Sequence, residues 1–194
     1  MNINPFSVAS LLLAIICFFI ILLLAFFRKS KLQKYWLYFN ISNGLWCLGA
    51  FLISQIKGDE AQALQLWRMV EISVAFIAIF FLHVTAILCS LNIRVLLAFA
   101  YIQGIVFSLL SLTSDLFFPN VKFVFNSFYY ANAGILFYLF FLIWISLVMY
   151  AQVQLFVTFF NNSSKDISLS SILTPAFCAS STTCLDCCIS SEYF

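Results

Sequence analysis

Charge is what this sequence has least of. Only 8% of its 194 residues are Asp, Glu, Lys or Arg, against about 25% in an ordinary soluble domain. A chain this poor in charge cannot wrap itself in a hydrated surface, which excludes an ordinary soluble domain. The net charge of +2 is too small for a nucleic-acid binder. Glycine is scarce as well, with five residues, and no two of them form the G-x-x-x-G pair that lets membrane helices cross closely. There is one histidine. No H-E-x-x-H, G-x-S-x-G, P-loop or clustered Asp set occurs, so no enzyme activity, cofactor or metal is expected. No internal repeat is visible, which withdraws support from a transporter built of inverted repeats.

What the chain has is apolar length. Hydrophobic residues make up 64% of it. Five runs contain no charged residue at all: 1–27, 35–56, 72–93, 95–114 and 123–164. Each has the ~20 residues a helix needs to cross a ~30 Å hydrocarbon layer. The expected fold is an all-α membrane protein, a bundle of five transmembrane helices at 6–27, 35–56, 70–91, 95–113 and 134–157. A sensor-like region 1–160 is followed by a disordered Ser/Thr/Cys-rich tail, 161–194.

The first run does not read as a cleaved signal peptide. No Lys or Arg precedes it, it is too long, and no A-x-A site follows. It ends on Arg28, Lys29, Lys31 and Lys34, an anchor of the positive-inside kind. With the N-terminus outside, those four residues, Arg94 and Lys165 are cytoplasmic, and only Lys57, Arg68 and Lys122 are external. Six against three favours a multi-pass protein of the inner (plasma) membrane with its N-terminus out and its C-terminus in the cytoplasm.

Polar residues inside spans are costly and therefore informative. Asn40 and Asn43 share a face of span two, continued by Trp46, for interhelical hydrogen bonding or for lining a small polar cavity. Trp67-Arg68-Met69-Val70-Glu71 opens span three, with Arg68 and Glu71 spaced to pair on one side of the helix. That set reads either as an interfacial anchor or as an outer-face sensing site. His83 lies twelve residues after Glu71, about 18 Å along the helix and ~120° around it, so the two cannot act together. Gln103 and Gln152 are its expected partners. The aromatic loop 114–133, around Pro119, reads as a re-entrant or interfacial segment. It would hold the apolar part of a small ligand on Phe117, Phe118, Tyr129 or Tyr130 while Arg68 takes the polar part.

These segments, within residues 36–154, resemble the seven-transmembrane N-terminal sensor region of bacterial histidine kinases. The likeness rests on a first span ending in a basic turn and on Asn43-Gly44-Leu45-Trp46-Cys47-Leu48-Gly49. It is carried further by the Trp67–Glu71 start, by Phe80-Phe81-Leu82-His83-Val84-Thr85 and by Gly134-Ile135-Leu136-Phe137-Tyr138. It implies a signal-input region of a two-component system that controls a cytoplasmic kinase or cyclase. The chain departs from the family in having five spans rather than seven and no kinase segment, as a truncated sensor would. His83, inside a span, cannot stand in for the phospho-acceptor. The candidate sensing residues are Trp67, Arg68, Glu71, Asn43 and His83. The expected partners are the lipid bilayer and either a second copy of the chain or a separate cytoplasmic signalling protein. The rival reading is a small self-contained membrane protein, such as a transporter subunit or accessory factor.

In the tail, Cys178-x5-Cys184-x2-Cys187-Cys188 lacks a nearby His and a folded frame for zinc. No C-a-a-X ending marks a lipid anchor, and the segment reads as disordered.

Overall fold

The computed structural model describes residues 5–27, 30–124 and 128–163. Arg28, Lys29, Lys165 and the tail cysteines lie outside the described residues. Five helices are long and apolar enough to cross a membrane: α1 (Pro5–Phe27), α2 (Lys31–Gln55), α3 (Glu60–Leu88), α4 (Arg94–Thr113) and α5 (Ile135–Ser163). Helices suit such a setting because they satisfy their own backbone groups. The all-α expectation needs one amendment. The loop between α4 and α5 folds into a two-stranded antiparallel hairpin, β1 (Val121–Val124) and β2 (Phe128–Ala131), with Val121 opposite Ala131 and Val124 opposite Phe128.

Local chemistry sets the helix ends. Ser30 and Gln33 form a reciprocal capping box at α2, with the Gln33 N–H on Ser30 Oγ at 3.2 Å and the Ser30 N–H on Gln33 Oε1 at 3.0 Å. Asp59 caps α3 by accepting from the Gln62 N–H at 2.9 Å. That cap starts α3 ten residues ahead of the expected span, because a capped helix continues where apolarity fades. At the other end of α3, Ser90 takes φ 52°. The Leu91 N–H then reaches Ala86 O at 2.9 Å, the 6→1 bond of a Schellman turn with serine in the usual glycine place.

The compact unit Met1–Gln152 is built around α3, the most buried helix. Val70 of α3 fills the place where Gly49 of α2 has no side chain, and Ile79 does the same at Gly104 of α4. A β-carbon on Gly49 would lie 2.1 Å from Val70 Cγ2. These glycines allow the close approach that G-x-x-x-G pairs allow elsewhere. Trp144 of α5 donates its Nε1–H to Val74 O at 2.9 Å. Helix α1 is inverted relative to a soluble helix, since Ser7 and Ser10 are its buried residues and its Leu, Ile and Phe side chains are mostly exposed. Ser7 Oγ lies 2.6 Å from Ser54 Oγ, and Gln55 Nε2 donates to both. A polar latch of this kind suits a helix whose other faces meet lipid.

In the second unit, Val153–Phe194, the described part continues α5. Phe160 packs on Phe156 and Phe159, with ring centroids 4.3 and 5.7 Å away.

Candidate functional site

The expected sensing residues Trp67, Arg68 and Glu71 lie at the end of the bundle where α3 and α5 begin and α4 ends. The described residues of the segment, 114–124 and 128–134, cover that end as a cap. About 20 helical residues span a ~30 Å hydrocarbon layer. Counted back from Leu88 at the end of α3, that distance reaches Met69. On that count Trp67 and Arg68 fall just beyond a ~30 Å length of α3 ending at Leu88, and Glu71 within it.

Arg68 holds the cap. One guanidinium nitrogen, Nη2, donates to Asp115 Oδ1 at 2.6 Å and to Phe118 O at 2.9 Å. The expected pairing of Arg68 with Glu71 is not made. Side chains lean toward a helix's N-terminus, so the arginine climbs from its turn to the cap and leaves Glu71 below. Trp67 adds a second tie by donating Nε1–H to Tyr129 O at 3.0 Å. The rings expected to line a ligand wedge are engaged within the protein. Phe117 and Phe118 are buried, and Phe117 packs against Phe107, Phe118, Phe137 and Phe140 with centroids 5.0–6.4 Å away. Tyr130 packs edge-on to Trp67, and Phe128 stacks on Phe6 at 4.5 Å.

Glu71 is 6% exposed and makes no hydrogen bond or ion pair among the described residues. The α3–α4 register is set by the Ser111 hydroxyl, which donates to Arg68 O at 3.2 Å. One turn further along α4, the buried hydroxyl of Ser108 also has no partner. Arg68 Nε is a third buried group of this kind. Glu71 Oε1, Ser108 Oγ and Arg68 Nε are thus three polar atoms on neighbouring turns of α3 and α4 that are buried without a hydrogen-bond partner. Such groups are uncommon in native interiors.

The other candidates lie elsewhere. Asn40 Nδ2 donates to Trp36 O at 2.8 Å and Asn43 Nδ2 to Phe39 O at 3.0 Å. Both therefore satisfy themselves on their own helix, four residues back, instead of bridging to another. His83 sits toward the far end of α3. Its ring stacks on Tyr35 with centroids 3.6 Å apart, and Nδ1 lies 3.1 Å from Tyr101 Oη. Its partners are thus these two tyrosines rather than Gln103 or Gln152. The sequence reading also passed over Asp115, Ser108 and Ser111. Among the described residues no group of three or more His, Cys, Asp or Glu could hold a metal ion. Cys17, Cys47 and Cys89 form no disulfide there.

No protein-family model, curated protein or solved structure matches the chain.

Proposed function

We propose that the chain is a membrane-embedded signal-input region of the histidine-kinase sensor type, with the cap as its receiving element. The observation that carries this reading is the placement of Arg68 between two sets of acceptors. Asp115 and Phe118 O hold it in the closed cap, while the buried carboxyl of Glu71, one turn away on the same helix, has no partner for its Oε1. A stimulus that draws the cap segment away releases the guanidinium toward Glu71. That exchange biases two arrangements of α3 against α4, the kind of discrete element a switch requires. At its far end α3 is joined through His83 to Tyr35 of α2 and Tyr101 of α4, a route for the shift to leave the bundle toward a cytoplasmic kinase or cyclase.

The test grafts residues 1–160 onto an intact histidine-kinase core and compares Arg68→Gln and Glu71→Gln with the parent. A charge-assisted hydrogen bond contributes about 1.5–3 kcal/mol, and the exposure of Asp115 lowers that share. Roughly 1.4 kcal/mol remains, so Arg68→Gln is expected to change basal output about tenfold at an unchanged membrane level. Glu71→Gln is expected to reduce the response to cap disruption. Unchanged output in both variants, or a fall in membrane level alone, sinks the reading in favour of an interfacial anchor. Solute movement by the reconstituted chain, lost in Glu71→Gln, would favour a transporter subunit instead.

The reading also requires the cap to face outward. Reporter fusions after Lys34 are expected to show cytoplasmic activity, and fusions after Glu60 to show none. An external signal at Lys34 reverses the map.

A further inference from the structure

The end of the bundle away from the cap carries a groove with about 780 Å³ of room, lined by Asn92, Arg94, Val95, Leu96, Phe99 and Tyr150 among others. We infer that this groove binds an anionic phospholipid, with the headgroup phosphate on Arg94 and an acyl chain along Val95, Leu96 and Phe99.

Position comes first. Helix α4 has 20 residues, close to 30 Å of helix, so it crosses a hydrocarbon layer with nothing to spare. Arg94, its first residue, is thereby set at the level of lipid headgroups. The long α3 has no such constraint.

Chemistry comes second. The Arg94 side chain is exposed and makes no ion pair or hydrogen bond among the described residues. Arg68, by contrast, is engaged by a carboxylate and a carbonyl. A planar guanidinium fits a phosphodiester with two parallel hydrogen bonds. Asn92 and Tyr150, which also line the groove, carry further donors.

The lining separates a lipid from a soluble anion. Val95 is 85% exposed and Phe99 51%, so the groove wall next to Arg94 is apolar surface awaiting cover. It continues into the exposed apolar face of α4 at Ile102, Ile105 and Val106. A free phosphate would use Arg94 and leave that wall bare, whereas a phospholipid covers both. Basic grooves at the ends of membrane helices bind acidic headgroups in this manner.

The experiment uses the full chain in neutral detergent. Native mass spectrometry would count bound phosphatidylglycerol, phosphatidylcholine of the same acyl chains, and glycerol phosphate as the headgroup alone. A basic residue near an anionic surface contributes about 1 kcal/mol, so phosphatidylglycerol should bind about fivefold more tightly than phosphatidylcholine. Arg94→Gln should remove that preference, and Phe99→Ala should weaken both lipids. Glycerol phosphate should not displace either. Equal binding of the two lipids by the parent chain overturns the inference without recourse to a variant. So does a preference that survives Arg94→Gln in a protein of unchanged melting temperature. Displacement by glycerol phosphate would reveal an anion site without lipid character. A dimer lost on Arg94→Gln would reveal contact between copies.

Discussion

Replacing Gly134 with alanine is expected to destabilise the protein by about 3 kcal/mol or more. A β-carbon there would fall 2.0 Å from Leu116 O, 2.7 Å from Leu116 C and 3.0 Å from Phe117 O. All three are backbone atoms, so no rotamer change can make room. The same two residues are joined to the start of α5 by hydrogen bonds. The Gly134 N–H donates to Phe117 O at 2.9 Å and the Leu136 N–H to Leu116 O at 3.3 Å. Separating the two segments to admit a methyl group would lose both bonds, at about 1 kcal/mol each, on top of about 1–3 kcal/mol for overpacking. Gly58→Ala is the useful comparison. Gly58 has open space around it but a φ of +77°, so alanine there costs only the left-handed backbone, about 1–2 kcal/mol. Thermal melting in detergent should rank Gly134→Ala well below Gly58→Ala. The reverse order would mean that the clasp between the cap and α5 is not rigid.

Phe117→Ala is expected to cost about 3–5 kcal/mol, the range for truncating a fully buried phenylalanine. Phe117 is 0% exposed, and the rings of Phe107, Phe118, Phe137 and Phe140 surround it. A lipid tail cannot enter to fill the space, so the neighbours lose their contacts outright. The loss should also loosen Phe118, whose carbonyl holds Arg68. Phe18→Ala is the control, because Phe18 is 56% exposed on α1 and its truncation leaves no internal cavity. Similar unfolding midpoints for the two variants would contradict the packing described for the cap.

The five helices were legible because a bilayer leaves few alternatives: a charge-free run of sufficient length has to hydrogen-bond to itself. The start of α3 was not legible from apolarity, since residues 60–69 are mixed and the signal was Asp59, a cap preceding a good helix-forming stretch. The hairpin was hidden for a different reason. Strands of four residues carry little periodicity, and this pair depends on distant partners, Phe6 and Trp67. Of the site, the face shared by Trp67, Arg68 and Glu71 followed from spacing. The partner of Arg68 did not, although a clue was present. Asp115 is the single acidic residue between Glu71 and Asp166. It stands two positions past the end of α4, which the tight turn after α3 folds back beside that helix. The inward amides of α2 misled because spacing specifies a face but not whether a side chain reaches across to a neighbour or back to its own backbone.

The clasp at Gly134 also fixes an order of manufacture. Helix α1, with its apolar side chains outward, is expected to leave the translocation channel alone and wait in lipid. Helix α2 can pack on α1 as soon as it emerges, through the Ser7, Ser54 and Gln55 latch, and gains its second close fit when Val70 arrives opposite Gly49. The cap cannot close until the start of α5 has emerged, because its carbonyls at 117 and 116 accept from the N–H groups of Gly134, just before α5, and of Leu136 in its first turn. A half-made chain therefore shows an open, protease-sensitive end that a finished one conceals. Nascent chains arrested after residue 133 should be cut in the cap segment, and chains arrested after α5 should resist; equal cutting of both would refute this sequence of events.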